Sequence, residues 1–246
     1  MTHQPILVAV MIVAVAAWSA CNSSPGRPKS DFEIIPPSQV VEFSLLYSQN
    51  CAGCHGPSGK GGAAIALANP VFLAIADDSV IRRTAANGVP GTSMPAFAQS
   101  AGGMLTDKQI DALVSGIRSW AKSDILSNVT PPPYSSQTPG DPQRGAEAYR
   151  TYCSSCHGVD GRGGSKASSI VDGAYLALVS DQELRTIVIA GRPELGAPDW
   201  RGDVEGRPMS AQEIADVVAW LSSHRAQFPG QPYPISSTDT GKGGPR

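Results

Sequence analysis

An all-α fold built from two similar domains is predicted for this chain of 246 residues. The first observation is an internal repeat, in which Gly59-Lys60-Gly61-Gly62 returns as Gly161-Arg162-Gly163-Gly164 after about one hundred residues. The second is a pair of apolar series with helical spacing, one near the end of each copy. The third is that no stretch alternates convincingly between apolar and polar residues, so strands are expected to be minor.

The last helix of each copy has the clearest sequence signal. Thr106 with Gln109, and Ser210 with Glu213, form capping boxes that open a helix. The apolar residues that follow recur on one helical face: Ile110, Leu113, Val114 and Ile117 in the first copy, and Ile214, Val217, Val218 and Leu221 in the second.

Two further helices are predicted in each copy. One runs into a cysteine motif and carries Tyr47 or Tyr149, and the other follows Asp78 or Asp181.

The motif common to both copies is Cys51-Ala52-Gly53-Cys54-His55, which recurs as Cys153-Ser154-Ser155-Cys156-His157. Two cysteines separated by two residues and followed by histidine form the attachment pattern for c-type haem. The thiols add to the vinyl groups as thioethers, and the turn carries the histidine beneath the iron. A four-thiolate zinc site or a redox Cys-x-x-Cys is the alternative, and the matching flanks of the two motifs disfavour it.

The pattern therefore predicts two covalently attached haem c groups. The cofactor-binding residues are Cys51, Cys54, Cys153 and Cys156, and the proximal iron ligands are His55 and His157.

The sequence resembles class I c-type cytochromes, present twice, over residues 38–123 and 141–226. Each copy has a helix entering Cys-x-x-Cys-His, a Gly-rich loop and a terminal amphipathic helix. The pair is similar to the two-domain dihaem cytochromes that carry electrons in bacterial periplasms. The resemblance implies two tandem class I cytochrome c domains, each a small helical domain around one covalent haem, with other redox proteins as partners.

In that family the first and last helices cross closely, which requires a small residue opposite a large one. Gly145 faces a terminal helix that carries Trp220, whereas the equivalents in the first copy are Phe43 and Gly116. Large and small residues have exchanged places, so the summed volume at the crossing is preserved.

The sixth iron ligands are expected to differ between the copies. Met94 precedes a proline as in the methionine loop of the family, which implies that it ligates the first haem, whereas Ala197 aligns with it in the second copy. Three alternatives remain for the second haem: Met209, whose counterpart Leu105 favours a packing role, His224, or an open iron.

The N-terminal segment is expected to direct export. An apolar run from Ile6 to Ala17 is followed by Cys21, which resembles a lipoprotein cleavage box. We expect a lipoprotein-type signal peptide at 1–20, lipid attachment at Cys21, and a flexible tether at 21–37 that holds the chain at the periplasmic side of a membrane. A cleaved ordinary signal or an uncleaved anchor is the alternative. A Pro-rich linker is expected at 124–140 and a disordered tail at 227–246.

The composition narrows the classes of function. With a formal net charge of −2 and 16% charged residues, the chain shows no sign of nucleic-acid binding. The leading hypothesis is an electron carrier, or an electron-transfer subunit of a respiratory complex, with no catalytic residues. The alternative is a dihaem peroxidase-like enzyme with an open second haem. Ala197 supports this alternative, because alanine cannot ligate iron.

Overall fold

The computed structural model describes residues 35–122, 124–127 and 129–227. These residues form ten α-helices and no named strand, with three isolated β-bridges, which confirms the all-α prediction. The segment up to Gln39, with a 3-10 helix at Pro37–Gln39, is one unit, and the chain from Val40 onward is another. The expected signal peptide, Cys21 and nearly all of the tether and tail lie outside the described residues.

Each copy contributes five α-helices in the same order. Those of the first copy are α1 (Phe43–Asn50), α2 (Ala52–His55), α3 (Pro70–Ile75), α4 (Asp78–Asn87) and α5 (Asp107–Arg118). Those of the second copy are α6 (Pro142–Tyr152), α7 (Ser154–His157), α8 (Gly173–Ala177), α9 (Asp181–Ala190) and α10 (Ala211–Ser222).

The terminal helices α5 and α10 form as the sequence predicts. Both capping boxes are complete, because each cap hydroxyl accepts from the N3 backbone while the N3 side chain accepts from the cap backbone. All eight apolar residues of the two predicted faces are buried. Burial of these faces on folding supplies most of the stability of such short helices.

The short helices α3 and α8 are the elements that the sequence analysis missed. Asn69 begins α3 by accepting from Val71 N at 2.8 Å and Phe72 N at 3.1 Å, with Pro70 at the first helical position. Asp172 begins α8 in a similar way, by accepting from Tyr175 N. The helices are too short for periodicity to reveal, but an Asx cap before a proline is a local signal that could have found α3.

The first and last helices of each copy cross with the predicted exchange of large and small residues. A Cβ added to Gly116 would overlap the ring of Phe43. A Cβ added to Gly145 would overlap the carbonyl of Asp216 and lie 2.7 Å from Trp220 Cβ. Each crossing therefore depends on one glycine that lets the helices approach.

A tryptophan from the terminal segment covers each crossing, and it comes from different positions in the two copies. Trp120 lies just beyond α5 and packs edge-on against Tyr47, with ring centroids 5.1 Å apart. Trp220 lies within α10, one turn earlier in the alignment, and stacks on Tyr149 at 4.3 Å. The same aromatic contact is thus reached from two positions on the helix.

The linker lies along the second copy. Within residues 129–141 it forms no helix. The Arg185 side chain, which is 3% exposed, donates from Nη2 to Pro133 O at 2.8 Å and from Nε to Tyr134 O at 3.1 Å. Gln182 also donates to Tyr134 O at 2.8 Å. These bonds hold the connection against α9.

Among the described residues, no helix is long and apolar enough to cross a membrane.

The helix crossing gives the first testable prediction. Gly145→Ala should lower the free energy of unfolding by about 1–3 kcal/mol, because the added methyl group would overlap backbone that cannot move away. Denaturant unfolding followed by circular dichroism measures the change. Gly53→Ala is the matched control, since nothing lies within 4 Å of its added Cβ, and it should be neutral or stabilising. Equal stability of Gly145→Ala and the wild type would show that the crossing is not tightly packed.

Candidate functional site

Each cysteine motif folds into a single helical turn. In the first copy, the Cys51 carbonyl accepts from Cys54 N at 3.2 Å and from His55 N at 3.0 Å. Cys153 accepts from Cys156 N and His157 N at the same two distances. All four thiols are free of disulfides. Two thiols and one imidazole are therefore presented by one rigid turn in each copy.

The environment of the first cysteine of each pair argues against a redox Cys-x-x-Cys. Burial, with the neighbouring Cys54 second, raises the pKa of Cys51 to about 11. Burial, followed by Asp203 and Cys156, raises the pKa of Cys153 to about 12. Reactive redox cysteines have lowered pKa values, because the thiolate is the nucleophile.

The four thiols also form no common metal cage, because no group of three or more His, Cys, Asp or Glu side chains in the described part of the chain could hold a metal.

A backbone carbonyl orients each motif histidine. His55 Nδ1 lies 2.8 Å from Ile65 O, and His157 Nδ1 lies 2.8 Å from Ser168 O. A carbonyl can only accept, so each Nδ1 carries a proton, and in the neutral ring Nε2 is then the nitrogen with the lone pair. Burial lowers the pKa of His55, which favours the neutral ring. This is the protonation state that an iron ligand requires.

A tyrosine and a glycine fix the residue after each histidine. Tyr47 donates its hydroxyl to Gly56 O at 2.8 Å, and Tyr149 donates to Gly158 O. Gly56 has φ of 82°, a conformation that favours glycine, and an added Cβ there would overlap the Lys60 carbonyl. The chain can therefore turn sharply behind the histidine and return beside it.

The returning loop packs directly on the attachment turn. Ala64 N donates to Cys54 O at 3.0 Å, and an added Cβ at Gly62 would overlap that same carbonyl. The residue after Ala64 is Ile65, whose carbonyl oxygen reaches the His55 ring. The tyrosine, the glycines and the loop together form a cradle for the histidine.

These residues fit covalently bound haem c. Each turn offers two thiols free of disulfides for thioether bonds and one histidine whose Nδ1 donates to a carbonyl, so that Nε2 of the neutral ring would face the iron. The second copy repeats the attachment turn, the tyrosine bond and the carbonyl at the histidine ring, but its described bonds include no counterpart of the bond from Ala64 N to Cys54 O.

The loop that carries Met94 and its counterpart in the second copy share one backbone bond. Val89 N donates to Met94 O at 3.0 Å, and Arg192 N donates to Ala197 O at 3.0 Å. The glycines before these donors, Gly88 and Gly191, each lie against the Met94 or Ala197 segment, leaving no room for a side chain. Ala197 therefore occupies the backbone position of Met94, and its methyl group cannot ligate iron.

The two remaining candidates for the second site are both hydrogen-bonded within the second copy. Met209 is 2% exposed, and its N–H donates to Trp200 O at 2.9 Å, as Leu105 N does to Phe97 O at 2.7 Å. His224 Nδ1 lies 2.8 Å from Trp220 O within its own helical segment. Met209 as the sixth ligand stays a prediction, and its packing matches that of the leucine it replaces.

Charged groups near the second site were missed by the sequence analysis. Asp199 pairs with Arg201 at 2.6 Å, and Arg201 lies over the Trp200 ring, 4.9 Å from its centroid. Burial and the nearby Asp199 raise the pKa of Asp203 to about 6. Asp203 is also close enough to contribute to the raised pKa of Cys153. No local pattern marks these residues, because their proximity to the site arises from the fold.

One protein-family model matches the chain in two segments, which correspond to the two copies. The family described as cytochrome C oxidase, cbb3-type, subunit III matches residues 40–115 and 140–221. The chain is 27% identical over 215 residues to the cbb3-type cytochrome c oxidase subunit FixP of Sinorhizobium medicae, covering 78% of this chain and 69% of that one.

Other proteins that the chain resembles are named for different complexes. The chain is 24% identical over 193 residues to a cytochrome bc1 complex cytochrome c subunit of Mycobacterium bovis, covering 75% of this chain and 64% of that one. The chain thus spans about two thirds of the length of these curated relatives. A chain of the reducing HAO-like protein complex of Kuenenia stuttgartiensis aligns with 78% of this chain and 100% of its own at 21% identity. Its TM-score of 0.41 is too low to carry a conclusion.

Proposed function

The chain belongs to the cytochrome C oxidase, cbb3-type, subunit III family, and we propose that it transfers single electrons between redox proteins of a respiratory chain. The observation that carries this proposal is the duplicated cradle, in which two thiols and a carbonyl-anchored histidine share one turn. Family membership implies covalently bound haem c. That the chain holds two of them is our proposal.

The residues assigned to the two groups follow from the cradles. Cys51 and Cys54 would attach the first haem, with His55 and Met94 as iron ligands, and the second motif would attach the other through Cys153, Cys156 and His157. Haem iron bound there supplies one-electron redox chemistry. The surrounding chain orients the histidines, buries the attachment turns and sets the local charge, which are the means by which a protein adjusts a reduction potential.

The names of the relatives support a role beside other redox proteins. FixP is named as a subunit of a cbb3-type oxidase, and the Mycobacterium bovis protein as a subunit of a bc1 complex. We propose by analogy that this chain meets an electron donor and an acceptor. The contacts of a freely diffusing carrier would be small and transient, whereas those of a complex subunit would be larger.

We further propose that the chain acts at the periplasmic side of a membrane, held there by a lipid on Cys21. The support is the apolar run from Ile6 to Ala17 and the position of Cys21 directly after it. Cys21 is also the only cysteine that the two motifs do not use.

Attachment of the haems is the central test. Protein made with a haem-attachment system should carry two haems per chain by mass spectrometry, because both turns present a complete set of groups. The double variant Cys153→Ala, Cys156→Ala should retain one, with a destabilised second copy. Two covalent haems in that variant would contradict the assignment, and failure of the loaded wild type to exchange electrons with any respiratory donor or acceptor would contradict the proposed function.

The two irons should differ in reduction potential. A thioether stabilises ferrous iron, so the second haem, with Ala197 in place of methionine, should have the lower potential in a redox titration. Met94→Ala should remove the methionine-to-ferric-iron absorbance and lower the higher potential. Met209→Ala is the comparison: it should cost packing stability and leave the spectra unchanged. Loss of a charge-transfer band in Met209→Ala would instead identify Met209 as a ligand.

If the second iron is open, it would permit a peroxidase-like activity. Steady turnover of peroxide with a reduced donor would favour that enzyme over the carrier, and no turnover beyond a trace would exclude it.

The anchor is tested by Cys21→Ser. The wild type should remain with the membrane fraction, whereas the variant should be released or accumulate as an uncleaved precursor, because serine cannot form the thioether to the lipid. Wild-type protein recovered in the soluble fraction, with an N-terminus after Cys21, would rule the lipid anchor out.

A further inference from the structure

We propose that Arg192, a residue of the second copy, is a positioning residue for the first haem site and acts through the loop that orients His55. The proposal rests on the haem attachment proposed above. It assigns the second copy a direct influence on the iron ligand of the first.

The Arg192 side chain crosses from one copy to the other. Its Nη2 donates to Gly62 O at 2.8 Å, and its Nε donates to Glu194 Oε1 at 2.5 Å. The Arg192 and Glu194 side chains are 12% and 17% exposed, although the Glu194 residue as a whole is exposed. Held from both sides in this way, the guanidinium has little freedom to leave Gly62.

Gly62 connects this contact to the iron ligand over a few residues. Its Cα lies against the Cys54 carbonyl and the Gly56 N–H, with no space for a side chain. Ala64 N then donates to Cys54 O at 3.0 Å, and Ile65 O accepts a hydrogen bond from His55 Nδ1 at 2.8 Å. A shift of the Gly62 carbonyl would therefore be passed to the acceptor that sets the orientation of the imidazole.

A second bond ties the far end of the same loop to the same segment of the second copy. Asn69 is 4% exposed, and its Nδ2 donates to Ala190 O at 2.9 Å while its Oδ1 caps α3. Ala190 lies two residues before Arg192. The second copy thus holds the His55 loop at Gly62 and at Asn69.

The arrangement is not reciprocal. Val89 occupies the position of Arg192 in the first copy, and its side chain has no donor. In the described part of the chain, no hydrogen bond from a first-copy side chain reaches the 158–168 loop that orients His157. His55 is 7% exposed, whereas His157 is only partly buried. The inference therefore concerns the first site alone, which makes the second site an internal control.

The hydrogen bond at Nδ1 matters because it tunes the ligand. A proximal histidine that donates strongly from Nδ1 is a more basic ligand and stabilises ferric iron. Release of the Gly62 loop should weaken the donation from His55 to Ile65 and raise the potential of the first haem.

The test uses the full haem-loaded chain with Arg192→Met combined with Glu194→Gln, so that both charges of the pair are removed together. We expect the ferric-state NMR signals of the His55 ring, assigned through Met94→Ala, to shift and the midpoint potential of the first haem to rise. The signals of His157 should stay in place. The matched control is Arg201→Met with Asp199→Asn, which removes a similar pair whose arginine donates to Ile125 O and not to the His55 loop. It should leave the His55 signals unchanged.

Two results would overturn the proposal. One is an unchanged His55 ring in a variant that carries both haems, and the other is an equal change at both histidines, which would indicate general loosening. If the double variant does not fold, Arg192→Lys can be used in its place. Lysine retains the charge, but its single nitrogen cannot replace the two fixed guanidinium nitrogens that donate to Gly62 and Glu194. It should give a smaller shift of the same His55 signals, and no shift would equally reject the proposal. No redox partner is needed, so failure to find a donor or acceptor would affect the proposed function and leave this result standing.

Discussion

The hydrogen bond between a histidine Nδ1 and a backbone carbonyl is the constraint on which each copy is built. To place Ile65 O at the His55 ring, the chain must turn at Gly56, return along the attachment turn at Gly62 and be held there. Tyr47 holds the turn from α1, and Trp120 covers Tyr47 from beyond α5. The first and last helices therefore cross where the loop needs support, and the rest of the fold follows from that requirement.

The two copies reach the same contacts from different sequence positions. Arg118, at the end of α5, donates to the carbonyls of Leu73 and Ala76. In the second copy Arg225, which lies beyond α10 and is not its aligned counterpart, donates to Leu176 O and Val179 O, each at 2.9 Å. The tryptophans behave similarly. A long side chain one turn away on a helix can reach the same point, so the contact is maintained while the position changes.

This explains what could be predicted from the sequence and what could not. The capping boxes, the apolar faces of α5 and α10, and the exchange of Phe43 and Gly116 for Gly145 and Trp220 are patterns within one element or one aligned pair. The attachment turns are likewise local.

The bonds from Arg192 to Gly62 and from Asn69 to Ala190 join residues far apart in the chain, and no local pattern identifies them. The position of Asp203 near Cys153 arises in the same way, since only the fold brings the two together.

The most consequential differences between the copies fall in one loop. In the first copy Val89 and Met94 are joined by a single backbone bond, from Val89 N to Met94 O. In the second copy Arg192 and Ala197 exchange two backbone bonds, at 3.0 and 3.1 Å, which close the loop into a bridge.

The closed loop has Ala197 where the first copy has Met94, and it has an arginine that reaches the other copy. The Met94 loop also contacts the other copy, because Ser93 N donates to Leu178 O at 3.2 Å. Among the described residues, both loops therefore join the two copies, but only Arg192 reaches a loop that orients a motif histidine.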